Sequence, residues 1–171
     1  MPTKLIINEQ HYEQVFMQIA KAKRFVWIGT ADIKDLHIKF NGKTQSFLAL
    51  LNRLIKKNVS IRLLHAKEPG KNFRNSFDKY PDLWKTMERQ LCPRVHFKQI
   101  IIDGIWAYTG SANLTGAGLG MKSKNRRNFE TGIITNDKDL LEQIMQQFDN
   151  VWIGKHCKNC GRKDFCPDPI L

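Results

Sequence analysis

Apolar positions recur along the chain at two spacings, and the spacing changes several times. Tyr12, Val15, Phe16 and Ile19 stand three and four apart, which predicts an amphipathic helix. Residues 25–29 form a short apolar run after Lys23-Arg24 and read as a strand. A polar loop is expected next, carrying Asp32, Asp35, His37 and the turn pair Asn41-Gly42. Phe47, Leu48, Leu51, Leu54 and Ile55 make a broad helical stripe that closes at Asn58, and residues 60–64 read as the following strand. Residues 67–77 are polar and read as a loop turning at Pro69-Gly70. Pro81 opens a helix expected to run through Leu83, Trp84, Met87 and Leu91, with Pro93 as its stop. Residues 95–102 and 105–108 read as two strands of a hairpin turning at Asp103-Gly104. A glycine-rich turn region (110–120), a strand (129–135) and a helix through Leu140, Leu141, Ile144, Met145, Phe148, Val151 and Trp152 complete the pattern. Such alternation predicts an α/β fold with a mixed sheet flanked by helices.

The chain has 171 residues, 42% apolar and 26% charged, enough for one core and too few for two ordinary domains. No apolar stretch approaches the ~20 residues of a membrane span, so stable membrane insertion is not expected. The first residues lack the apolar core and cleavage site of a secretory signal, which points to a cytoplasmic protein. Twenty-eight Lys and Arg face sixteen Asp and Glu, a net charge of +12. That excess favours a polyanionic partner, nucleic acid first and an anionic membrane surface second.

The candidate chemistry is concentrated between residues 95 and 113. On a strand, His96 and Lys98 share a face. An ammonium stabilises phosphoryl oxygens, and an imidazole can attack phosphorus or move a proton near neutral pH. The hairpin returns the chain so that Ser111 and Asn113 can reach the same end and bond phosphate oxygens without adding charge. The order His96-x-Lys98, Asp103, then Gly110-Ser111-x-Asn113 resembles the HKD signature of the phospholipase D superfamily, and the likeness extends over most of residues 10–152.

That resemblance implies a phospholipase D-like fold and phosphodiester transfer through a phosphohistidine, with His96, Lys98, Asn113 and Ser111 in the site. It implies that Glu130, in Asn128-Phe129-Glu130, orients His96. Asp103 and Gly110 are expected to be structural, Asp103 in a turn away from the His96 end. The superfamily site needs two such motifs and this chain has one, so the resemblance implies a homodimer with the site at its interface. No catalytic metal is implied. Lys122, Lys124, Arg126 and Arg127 follow the motif and would track a phosphate backbone. Lys67, Lys71, Arg74 and Lys79, interleaved with Phe73 and Tyr80, would add cations and stacking aromatics. The leading expectation is an endonuclease acting on DNA or RNA. The alternatives are a phospholipase D-type lipid hydrolase, using an apolar surface drawn from Trp106, Tyr108 and Leu119, and a non-catalytic nucleic-acid-binding module.

The division expected is a catalytic domain over 1–153 and a cysteine-rich tail over 154–171. The tail carries Cys157, Cys160 and Cys166, with Cys160 followed by Gly161 as in a zinc knuckle. Without a signal peptide, a metal site fits better than a disulfide framework. Cys92 or His156 would supply the fourth ligand. Structural zinc is the first expectation, and an iron–sulfur cluster is the alternative, since a remote cysteine followed by C-x2-C-x5-C resembles the iron staple of some DNA-processing nucleases.

Overall fold

A computed structural model describes residues 3–40, 43–115 and 124–170. In chain order its elements are β1 (Thr3–Ile7), α1 (Gln10–Ile19), β2 (Phe25–Thr30), β3 (His37–Phe40), β4 (Lys43–Ser46), α2 (Phe47–Ile55), β5 (Ser60–His65), α3 (Lys71–Phe77), α4 (Pro81–Thr86), β6 (Glu88–Leu91), β7 (Lys98–Ile102), β8 (Trp106–Gly110), β9 (Thr131–Thr135) and α5 (Lys138–Trp152). Short 3-10 turns lie at Lys124–Arg126 and Lys163–Phe165.

Seven strands form one mixed sheet in the order β1-β9-β8-β7-β2-β5-β6. β2–β5 and β5–β6 are parallel, and the other pairs are antiparallel. One face packs on α1–α4 around Phe16, Phe47, Leu51, Ile28 and Ile100. The other face packs on α5, where Leu141, Ile144 and Phe148 meet Ile101 and Ala107. The alternation of side chains along β7 sends Ile100 and Ile102 to the first core and Ile101 to the second. Ser46 caps α2 by accepting from Ala49 N–H at 3.3 Å, and Asp137 caps α5 by accepting from Leu140 N–H at 3.0 Å.

Several expectations are corrected. β1 stands where no strand was expected, at one edge of the sheet. The supposed polar loop after β2 contains the antiparallel pair β3–β4; its turn residues Asn41 and Gly42 lie outside the described residues. Residues 71–77 are helical, because Phe73 and Phe77 stack at 5.8 Å and Phe73 is buried. The helix from Pro81 stops at Thr86, and Glu88–Leu91 instead adds a parallel strand beside β5. There, pairing with the β5 backbone overrides the helical spacing of Leu83, Met87 and Leu91.

Candidate active site

The register of the sheet gathers the candidate residues at one end. Gly29 of β2 pairs with Gln99 of β7, Lys98 pairs with Gly110 of β8, and Gly110 pairs with Gly132 of β9. The ends of β1, β2 and β8 therefore meet the beginnings of β7 and β9. His96, Lys98, Ser111, Asn113 and Glu130 all lie at this end.

His96 is exposed and sits two residues before β7 begins. Lys98 is the first residue of that strand and only 6% exposed. Its Nζ donates to the His96 carbonyl at 2.6 Å, so the lysine ties down the main chain that carries the imidazole. Burial pushes the Lys98 amine below the usual lysine range, and the Glu130 charge partly offsets this. The Phe97 ring faces the opposite side, over Gly29 and 6.5 Å from the Phe148 ring.

Asn113 is held from behind. Its Oδ1 accepts from Thr30 Oγ1 at 3.3 Å and from Asp32 N–H at 3.2 Å. With the oxygen so engaged, the amide nitrogen is the group left to meet an anion. Thr30 is 1% exposed and also donates to the Asp32 carbonyl at 2.8 Å. The sequence reading places Asp32 in a loop and gives neither it nor Thr30 a part in the site. A polar pair at the end of an apolar strand was the signal available.

Glu130 does not take the position expected of it. Its carboxylate accepts from Ser111 Oγ and from Asn128 Nδ2, the latter at 3.2 Å, and among the described residues it makes no hydrogen bond to His96. Ser111 Oγ also accepts from Thr131 N–H at 3.0 Å. Ser111 and Glu130 thus lock the β8 and β9 ends together beside Lys98. The physical reason is register: Gly110 pairs with Gly132, which sets the residues flanking them face to face. A Cβ on Gly110 would lie 2.6 Å from the Thr131 carbonyl oxygen, so this close approach requires glycine.

Asp103 lies at the far end of β7. Its carboxylate accepts from the N–H groups of Lys23 (2.9 Å), Arg24 (2.7 Å) and Phe25 (2.9 Å), fastening the start of β2 to the hairpin turn. Burial opposes its charge, but these three bonds outweigh it and hold the carboxyl below the usual range. Asp103 and Gly104 both have positive φ (56° and 69°), the backbone of a tight hairpin turn.

Of the basic residues after the motif, Lys122 lies outside the described residues, as does Leu119, and of Lys124 only the backbone is described. Arg126 is exposed, and the Arg127 guanidinium pairs with Glu9 at 3.3 Å. Phe73 and Tyr108 are buried, 4% and 1% exposed, so neither is a free stacking or lipid-facing surface. The Tyr108 ring instead meets the buried His11 ring edge-on at 5.4 Å.

Cys92, Cys157, Cys160 and Cys166 are all unbridged, and all four line one small cavity with His156, between the tail and the β6–β7 connection.

Comparison with known proteins bears on the family and the fold. A family model described as cardiolipin synthase, PLD-like domain, matches residues 15–152. The chain belongs to the phospholipase D-like family. No curated protein matches it by sequence. The fold is similar to NucT from Helicobacter pylori (TM-score 0.64, 14% identity, 88% of this chain and 94% of that one). It is similar to Nuc, a phospholipase D family member from Salmonella typhimurium (TM-score 0.62, 15% identity, 88% and 94%). It is also similar to TrmBL2, an archaeal chromatin protein with a novel mode of DNA binding (TM-score 0.58, 14% identity, 89% and 52%). Among the described residues no helix is long and apolar enough to cross a membrane.

Proposed function

We propose that the chain is a nuclease whose active site forms between two copies, each supplying one His96. The observation that carries this reading is an exposed imidazole anchored by a buried lysine, next to an asparagine whose amide nitrogen is left for an anion. In the first step a nitrogen of one His96 attacks phosphorus. The bond from phosphorus to the leaving oxygen breaks, and the protonated His96 of the second copy gives that oxygen its proton. The second His96 then takes a proton from water, whose oxygen attacks phosphorus and releases the first histidine. Lys98 and Asn113 hold the nonbridging oxygens in both steps. Glu130 acts on Lys98 through its charge, and Ser111 with Glu130 holds the junction of β8 with β9.

The charge of +12 supports a polyanionic substrate. A groove of about 610 Å³ beside Asp32 adds Lys34 and Lys71, both exposed, within reach of a strand entering at Asn113. A DNA-binding protein of similar fold supports the same choice. The experiment is cleavage of single- and double-stranded DNA and RNA in excess EDTA, with His96→Ala as control. EDTA-resistant cleavage lost in the variant is expected. No cleavage of any nucleic acid, with phospholipid headgroup release instead, would replace this reading by lipid hydrolysis.

A further inference from the structure

The fold brings Cys92, at the end of β6, to the same cavity as Cys157, Cys160 and Cys166 of the tail. The tail closes on itself to do so. Ile170 packs on Gly154, whose φ is +72° and where a Cβ would lie 2.6 Å from the Ile170 Cβ. Asp168 Oδ2 accepts from Leu91 N–H at 3.1 Å, and the Cys166 thiol faces the Leu91 carbonyl at 4.0 Å. Arg94 Nη1 points to Cys160 Sγ at 3.8 Å. Residues 154–170, with few apolar side chains, are thereby held against the sheet edge around a cavity that the four thiols help to line.

The size of that cavity distinguishes the candidates. A zinc ion bound by four thiolates has Zn–S bonds of about 2.3 Å, which puts the sulfurs about 3.8 Å apart and leaves no space among them. Here the four thiols share the wall of a cavity of about 110 Å³ with Gln90, Arg94, Val95, Val151, His156 and Asp168, whereas one water needs only about 10–15 Å³. As they stand, no three His, Cys, Asp or Glu side chains among the described residues are close enough to hold one ion. Four thiols that share a cavity yet stand too far apart for a single ion match a larger body. Four-cysteine ligation is also the usual anchorage of iron–sulfur clusters.

We propose that Cys92, Cys157, Cys160 and Cys166 bind a four-iron, four-sulfide cluster, the four thiols losing their protons as they ligate iron. Its position gives it a structural task. Val95 lines the same cavity, and its N–H donates to the Cys92 carbonyl at 3.0 Å. Val95 is the residue before His96. The cluster therefore braces the connection that presents the imidazole, whichever phosphodiester the site cleaves.

The test is elemental. The whole chain, isolated without oxygen and then incubated with ferrous iron and sulfide, is assayed for iron, acid-labile sulfide and zinc. About four irons and four sulfides per chain are expected, with broad visible absorption that bleaches on reduction. Cys92→Ser and Cys166→Ser are each expected to lose the iron while keeping the far-ultraviolet circular dichroism of the parent. The tail is then expected to be cut faster by protease beyond α5. About one zinc per chain without sulfide would overturn the proposal. So would the absence of any metal after reconstitution, or full iron retention in either variant.

Discussion

The ring of Phe97 occupies the space that a side chain on Gly29 would need. A Cβ there would lie 2.9 Å from Phe97 Cδ2, and the backbone of β2 passes directly beneath the ring. Phe97 separates His96 from Lys98, so the fit of ring over glycine sets how the two functional side chains leave the main chain. Gly29→Ala is expected to cost roughly 1–3 kcal/mol by overpacking and to reduce turnover together with stability. Urea denaturation and a cleavage assay on the same preparation check this. Unchanged stability would mean that the ring moves aside freely.

Asp103 lies 78 to 80 residues along the chain from the three N–H groups it accepts from. Asp103→Ala leaves those donors without their carboxylate and is expected to destabilise by roughly 2–4 kcal/mol. The sign with pH follows from its lowered pKa. The unfolded carboxyl titrates near about 3.9, so the contribution is complete above that pH and is lost as pH falls through the lower folded value. The gap in stability between parent and variant should therefore close on acidification below about pH 4. A gap independent of pH would show that the charge is not what matters.

If two copies of His96 share one site, parent and His96→Ala chains mixed equally and allowed to exchange should retain about one quarter of the activity, because only parent pairs remain complete. Independent subunits would retain about one half. Sedimentation of the parent at the assay concentration measures the dimer directly.

Lys98 is pushed below the usual lysine range by burial, and the Glu130 charge works against that push. The alkaline limb of substrate binding by His96→Ala, which lacks the general-acid imidazole, is expected below the ordinary lysine value of about 10.4. Glu130→Gln removes the opposing charge and should move that limb to still lower pH. Ser111→Ala keeps the carboxylate and should leave the limb in place. A limb that ignores Glu130→Gln would detach Lys98 from the pH dependence.

Much of this was legible in the chain. The run from Val95 to Ile102 reads as a strand, Asp103-Gly104 has the chemistry of its turn, and Asn113 falls just after the returning strand ends. The position of Asp103 away from His96 followed from the hairpin alone. What it fastens did not, because Lys23, Arg24 and Phe25 reach it through the pairing of β2 with β7. The partner of Glu130 was misread for the same reason. Its bond to Ser111 depends on Gly110 facing Gly132, a register that local spacing does not encode. β6 and α3 were missed where short segments take their structure from the backbone beside them and from one buried ring.

The edge strand β1 has a consequence for how the protein is made. Among the described residues Thr3–Ile7 pairs with Thr131–Thr135 alone, its first residue opposite the last of β9. A nascent chain leaving the ribosome thus carries this strand without β9 until residues 131–135 have emerged. β2, β5 and β6 can assemble early, but the sheet is complete only when residue 135 has emerged. Chaperone contact with Ile6, which is buried once the sheet is complete, is best sought in that interval, before β9 arrives.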